Sequence, residues 1–190
     1  MAANINADTS GGLKLTSDTS GVLELKSAGT TIATVSSTGL AMASGKVLAS
    51  TGPAFSAYRA TNQSIVTSTF AKVAINTELF DTNSNFNTST YAFTPTVAGY
   101  YQVNGNVLLS AVKNVALVEI WKNGAALVRG NQQVNTAVAS SRGVSVSNLV
   151  YMNGSSDYLN LYAYHTTGTT QTILGGSRYA YFTAHLARAA

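Results

Sequence analysis

The stretch from Asp81 to Val107 restricts this chain more than any other. Large apolar residues stand far apart at Phe86 and Phe93, with polar residues between them, and Pro95 breaks the run. Gly99 follows. From there Tyr101-Gln102-Val103-Asn104-Gly105-Asn106-Val107 alternates strictly between side chains suited to a core and side chains suited to water. A period of two over seven residues is the mark of a half-buried strand, because successive side chains leave opposite faces of a sheet. The pattern predicts a short strand near Tyr91–Phe93, a turn, and a long central strand. No window of adequate length repeats its apolar residues at helical spacing, so the chain reads as all-β.

Downstream, Val115–Lys122 ends in Val118, Ile120 and Trp121, and Asn123-Gly124 follows. Asn-Gly suits the two positive-φ positions of a type I′ hairpin turn, so Ala125–Arg129 should return antiparallel. Val144–Met152 alternates again. Asn153-Gly154-Ser155-Ser156 makes a turn, Tyr158–His165 is rich in strand-forming residues, and Tyr179–Leu186 closes the pattern.

The first fifty residues are of another kind. Asp8–Thr16 and Asp18–Lys26 repeat with a period of ten, each an Asp-Thr-Ser-Gly turn followed by a short alternating strand. Ser36–Met42 echoes them, and Thr30–Ser37 alternates between. Strands with two or three apolar residues cannot bury their own face, so neighbouring units or neighbouring chains must cover it. An ordinary small meander folded on the rest of the chain is the alternative to a three-chain stalk. Residues 44–53 form the linker.

Only 9% of the residues are charged, against about 25% in an average soluble protein. Ser, Thr, Asn, Gln and Gly must therefore cover the surface. The net charge of +4 comes from scattered Lys and Arg, with no basic run interleaved with aromatics, so no nucleic-acid footprint is expected. There is no cysteine, which excludes disulfides, thiol nucleophiles and thiolate metal sites. No secretion signal is legible, and no apolar run reaches the roughly 18 residues of a spanning helix. A non-secreted, polar-coated particle component, with no membrane insertion, is the expectation.

Ile75, Asp81, Phe86, Phe93, Gly99, Tyr101, Val103 and Gly105 fall in register with a known signature. That signature runs Phe, Asn or Asp, an aromatic or Leu, Phe, then Gly-x-Tyr-x-Phe-x-aromatic. It resembles the globular head of complement component C1q, within the tumour-necrosis-factor-like jelly rolls. Ile75, Val103 and Gly105 depart from it. Trp121–Val128 and Tyr181–Leu186 are similar to the family's Asn-Gly hairpin and closing strand. The resemblance implies a ten-strand jelly-roll sandwich over residues 53–190 that assembles as a homotrimer. It also implies a role in the trimer interface or the core for Phe86, Phe93, Tyr101, Tyr181 and Phe182. The N-terminal repeats resemble bacteriophage fibre stalks, which makes residues 1–50 the expected attachment to capsid or tail proteins.

Sequence offers little chemistry. His165 and His185 lie on separate expected strands without carboxylates at ligand spacing, so no metal or other cofactor is expected. Glu78 and Asp81 are neighbours but occupy a strand end and a loop, where a glycosidase would need two acids flanking a cleft. No nucleophile elbow or phosphate loop occurs. The expectation is a non-enzymatic virion protein, a head fibre or capsid decoration on the particle surface. A receptor-binding tail tip and a bacterial lectin-like module remain alternatives. The polar loops 83–90, 132–142 and 166–172 are candidate contacts for host glycans.

Overall fold

A computed structural model of the chain describes residues 21–45 and 52–190. The chain divides into two compact units, Met1–Ser50 and Thr51–Ala190. The first of the two ten-residue repeats and most of the linker lie outside the described residues.

In the first unit, β1 (Leu23–Ser27), β2 (Thr30–Ser36) and β3 (Gly39–Met42) form an antiparallel sheet in that order. Ala28 and Gly29, both at positive φ (49° and 76°), close the first hairpin in two residues. Among the described residues of this unit only Ala33 is buried, while Leu25, Val35 and Leu40 are exposed. Three short strands with one buried side chain make no core of their own.

The second unit, the head, contains no helix among its described residues. Its strands are β4 (Ala54–Tyr58), β5 (Gln63–Ile65), β6 (Ala71–Lys72), β7 (Thr77–Asp81), β8 (Phe86–Asn87), β9 (Ala92–Phe93), β10 (Gly99–Lys122), β11 (Ala125–Met152), β12 (Leu159–His165), β13 (Gln171–Ile173) and β14 (Ala180–Ala189). Two of them, β10 and β11, pair from Gly99↔Met152 to Lys122↔Ala125. The other edge of β10 serves three neighbours, of which β13 makes the single pair Leu109↔Ile173. Residues 99–107 pair with β14, which continues through β4 to β7. Residues 116–122 pair with β12, which carries β6 and β9.

A strand that changes neighbours in this way turns a corner between two layers, and it does so through bulges. The register slips between Leu109 and Asn114, where Ala111 and Asn114 adopt positive φ (48° and 66°). The sequence pattern predicts two separate strands here, and the structure joins them. It also corrects the reading of residues 132–142 as a loop, because they lie inside β11.

The core lies between the layers. Ile75 and Val103, two of the departures from the signature, are buried at 1% and 0% exposure and keep an apolar side chain where the signature has Phe. Gly105 is different. A Cβ there would stand 2.4 Å from Leu161 Cδ1. Leu161, from the facing layer, fills the volume the signature gives to an aromatic ring.

Candidate functional site

The inward residues of the signature build an aromatic nucleus. Phe55 of β4 stacks on Phe86 and Phe93 with ring centroids 4.6 Å away in each case, and Phe182 meets it edge-on at 5.3 Å. Tyr101 is fully buried against Phe93, and its hydroxyl donates to the Val97 carbonyl at 2.8 Å. Burial pushes the Tyr101 phenol above its ordinary range, which leaves it a donor at any physiological pH. Of the five aromatic candidates, Phe86, Phe93, Tyr101 and Phe182 face inward, and Tyr181 is half-buried.

Alternation sends the other side chains of the same strands outward. The outer face of the β4–β14–β10–β11 layer has a polar centre. Gln102 donates to Ser147, Ser147 to Asn104, and Asn104 to Thr183. Beside this network stand Tyr100, Leu149 and Tyr151, which are 43%, 52% and 45% exposed. Tyr100 and Leu149 line a groove of about 620 Å³ with residues 187–190. The far edge of β11 has no strand partner among the described residues, and Leu127, Val134 and Val138 are exposed along it. Part of that edge is taken up by β11 itself, since the Ser145 N–H donates to Asn131 Oδ1 and the Gly143 carbonyl accepts from Gln133 Nε2.

At one end of the head, the β10–β11 hairpin is locked to the next turn. Asn123 and Gly124 have φ of 53° and 80°, the signs a type I′ turn requires. Asn123 Oδ1 accepts from the Tyr158 N–H, and Asn123 Nδ2 donates to Asp157. Lys122 Nζ reaches Asp157 at 2.8 Å and the Tyr151 carbonyl at 2.7 Å. Asn153 Oδ1 gathers the N–H groups of Ser155, Ser156 and Asp157. This network holds the Asp157 carboxyl below its ordinary range. Lys122 is the largest cause and Asn123 the next. The sequence gives Asp157 no partner, because Lys122 lies on another strand.

A folded-state pKa below the unfolded one stabilises the protein above the unfolded value of about 3.9 and is lost as pH falls through the folded value. Asp157→Asn should therefore lower the melting temperature at pH 7. The gap to the wild type should close as the pH is taken below about 4. A constant gap across that range would contradict the linkage.

Three solved structures share this architecture. The globular domain of zebrafish complement 1qA protein is 18% identical, covers 73% of this chain and 99% of its own, and superposes with a TM-score of 0.54. Eiger TNF from S. frugiperda is 10% identical over 73% of this chain and 94% of its own, with a TM-score of 0.60. Murine APRIL is 9% identical over 71% and 98%, with a TM-score of 0.57. The head is a C1q/TNF-like jelly roll. No protein-family model and no curated protein matches the sequence.

Within the C1q/TNF-like head the acids have structural work. Glu119 is 3% exposed and accepts from Trp121 Nε1 at 3.0 Å and Arg129 Nε at 2.8 Å. Asp81 caps its own loop, accepting the N–H groups of Asn83 and Phe86. That bond to Phe86 is the physical reason for an acid or amide at this signature position. His165 is buried. Its Nδ1 accepts the Thr167 N–H, so Nε2 carries the hydrogen and donates to the Ile65 carbonyl. His185 is exposed on β14. Among the described residues no three His, Cys, Asp or Glu side chains group as a metal site would require.

Proposed function

We propose that this chain is a structural protein of a bacteriophage particle, a homotrimeric head fibre or capsid decoration protein. Residues 1–50 attach it and the C1q/TNF-like head is displayed outward to contact the host surface. What supports the reading is that the described residues of each unit leave large apolar side chains exposed. The N-terminal sheet buries one side chain among its described residues. The head leaves Tyr100, Leu149 and Tyr151 exposed, with Leu127 and Val134 on β11. Parallel copies of one chain would cover such surfaces.

With so few charges, such surfaces would otherwise promote uncontrolled association. The buried acids are already engaged in hydrogen bonds, which favours a binding and assembly role over catalysis. A displayed head repeated over a particle binds through effective concentration even when one copy binds weakly.

The experiment is electron microscopy of particles carrying a label at Ala190, combined with adsorption to host cells with and without the head. Label on the capsid surface and reduced adsorption of headless particles are expected. Label at the tail tip would move the protein to receptor binding there. Unchanged adsorption with lowered heat resistance would leave a shell-stiffening role and reject host contact.

A further inference from the structure

Asn160 breaks the pattern of its strand. It stands between Leu159 and Leu161, all three are buried, and Asn160 itself is only 2% exposed. Its Nδ2 is committed. It donates to the Tyr91 carbonyl at 2.6 Å and to the Thr90 carbonyl at 3.4 Å. Two carbonyl partners fix the amide orientation, since only the nitrogen can donate. Oδ1 then has no hydrogen-bond partner among the described residues. No fully buried side-chain nitrogen or oxygen there lacks a partner, so this oxygen reaches solvent. Asn160 lines a cleft of about 340 Å³ with Lys72, Thr90, Thr94 and Tyr158.

The cleft is built rather than incidental. Tyr91, between the lining residues Thr90 and Ala92, adopts positive φ (58°) without being Gly or Asn, a conformation that persists only where its surroundings enforce it. The Asn160 clamp and the Tyr91 N–H bond to the Asn87 carbonyl at 2.7 Å hold it. Tyr158 is fixed by two bonds to Asn123, one through its N–H and one through its carbonyl. Lys72 sits on β6, which is paired to β12 opposite Tyr162. The Lys72 ammonium and the hydroxyls of Thr90, Thr94 and Tyr158 have no side-chain partners among the described residues. Five uncommitted polar groups therefore surround one shallow space that also contains the Ala92 methyl.

We infer that this cleft is a binding site for a single pyranose ring bearing a carboxylate, such as a uronic acid residue of a surface polysaccharide. The volume is at the small end of the roughly 300–1,000 Å³ of small-molecule sites, room for one ring and no more. Asn160 Oδ1 accepts a ring hydroxyl, and the Thr and Tyr hydroxyls can donate or accept. Lys72 supplies the one positive charge and pairs with the carboxylate. Preorganised polar groups around a small apolar floor fit a sugar better than a lipid or peptide chain, which would need a longer apolar groove. The inference rests on the host-contact reading and gives it a substrate class.

The test is titration of the full-length protein with methyl glucuronide and methyl glucoside, followed by saturation-transfer NMR. Glucuronide should bind in the millimolar range and glucoside about tenfold more weakly, the loss of one charged hydrogen bond. Lys72→Gln, with its melting temperature unchanged, should reduce glucuronide to the glucoside level. Tyr158→Phe should weaken both sugars. Equal binding of the two glycosides, no binding of either, or an unchanged titration in Lys72→Gln would overturn the site. Adsorption of particles separates this failure from that of the host-contact reading. Loss of adsorption without the head but not in Lys72→Gln would keep host contact and reject the cleft. Normal adsorption of headless particles would reject host contact, and the titration would still decide the cleft.

Discussion

Phe55→Ala is expected to cost the head about 3–5 kcal/mol, the range for removing a buried ring. Phe55 is 1% exposed and stands at the centre of the nucleus. It contacts Phe86 at an interplanar angle of 10°, Phe93 at 27° and Phe182 at 71°. Truncation thus removes two stacked pairs and one edge contact, each worth about 0.5–1.5 kcal/mol beyond the buried area. The three rings come from β8, β9 and β14, so the hole would touch both layers and relax poorly. Denaturant unfolding at fixed protomer concentration measures the loss. A cost below about 1.5 kcal/mol, the level of a conservative core swap, would mean that the nucleus does not hold the two layers together.

Gly154→Ala should be the next most damaging change, at about 3 kcal/mol. The backbone there has φ of 72°, which costs a residue with a Cβ about 1–2 kcal/mol. The added Cβ would also stand 2.3 Å from the Ala98 nitrogen. Because the obstacle is backbone, it cannot swing away as a side chain can, and overpacking of this kind adds about 1–3 kcal/mol. Gly124→Ala is the internal control. Its φ is also positive, at 80°, but the nearest obstacle is the Tyr158 hydroxyl at 3.4 Å. It should show the conformational cost alone. Equal losses in the two variants would show that the contact with Ala98 carries no weight.

Much of the fold is legible in the residues because its determinants are local. Period-two alternation in Tyr101–Val107 and the Asn123-Gly124 turn need no knowledge of distant neighbours. The signature positions survive substitution because what they require is an apolar side chain, as Ile75 and Val103 show. Gly105 survives because Leu161 compensates from the facing layer, and that cannot be read from position 105. The continuity of β10 through residues 109–114 is also hidden. Its bulges fall on Ala111 and Asn114, and nothing in the local sequence demands positive φ of an alanine. The same lack of punctuation makes residues 132–142 read as a loop.

The surfaces are less legible than the fold. Neighbouring rings on a strand face opposite ways, and the sequence does not say which faces out. The structure sends Tyr101 inward and Tyr100 outward on adjacent positions of one strand. The Asp157 lock depends on Lys122, thirty-five positions earlier in the chain. Asn160 leaves no trace, because Leu159-Asn160-Leu161 is ordinary alternation and only its burial departs from the pattern. Its role depends on Tyr91 and Lys72, which the fold brings beside it.

Self-association is the central proposal, since Leu25, Val35 and Leu40 of the first unit and Tyr100, Leu149 and Tyr151 of the head are exposed. Light scattering coupled to gel filtration of the full-length protein at micromolar concentration measures it directly. The account predicts a mass of about three times 19.7 kDa, unchanged on dilution within that range. A stable monomer of 19.7 kDa would contradict it, and with it the proposal that Tyr100, Leu149 and Tyr151 are covered by copies of the same chain.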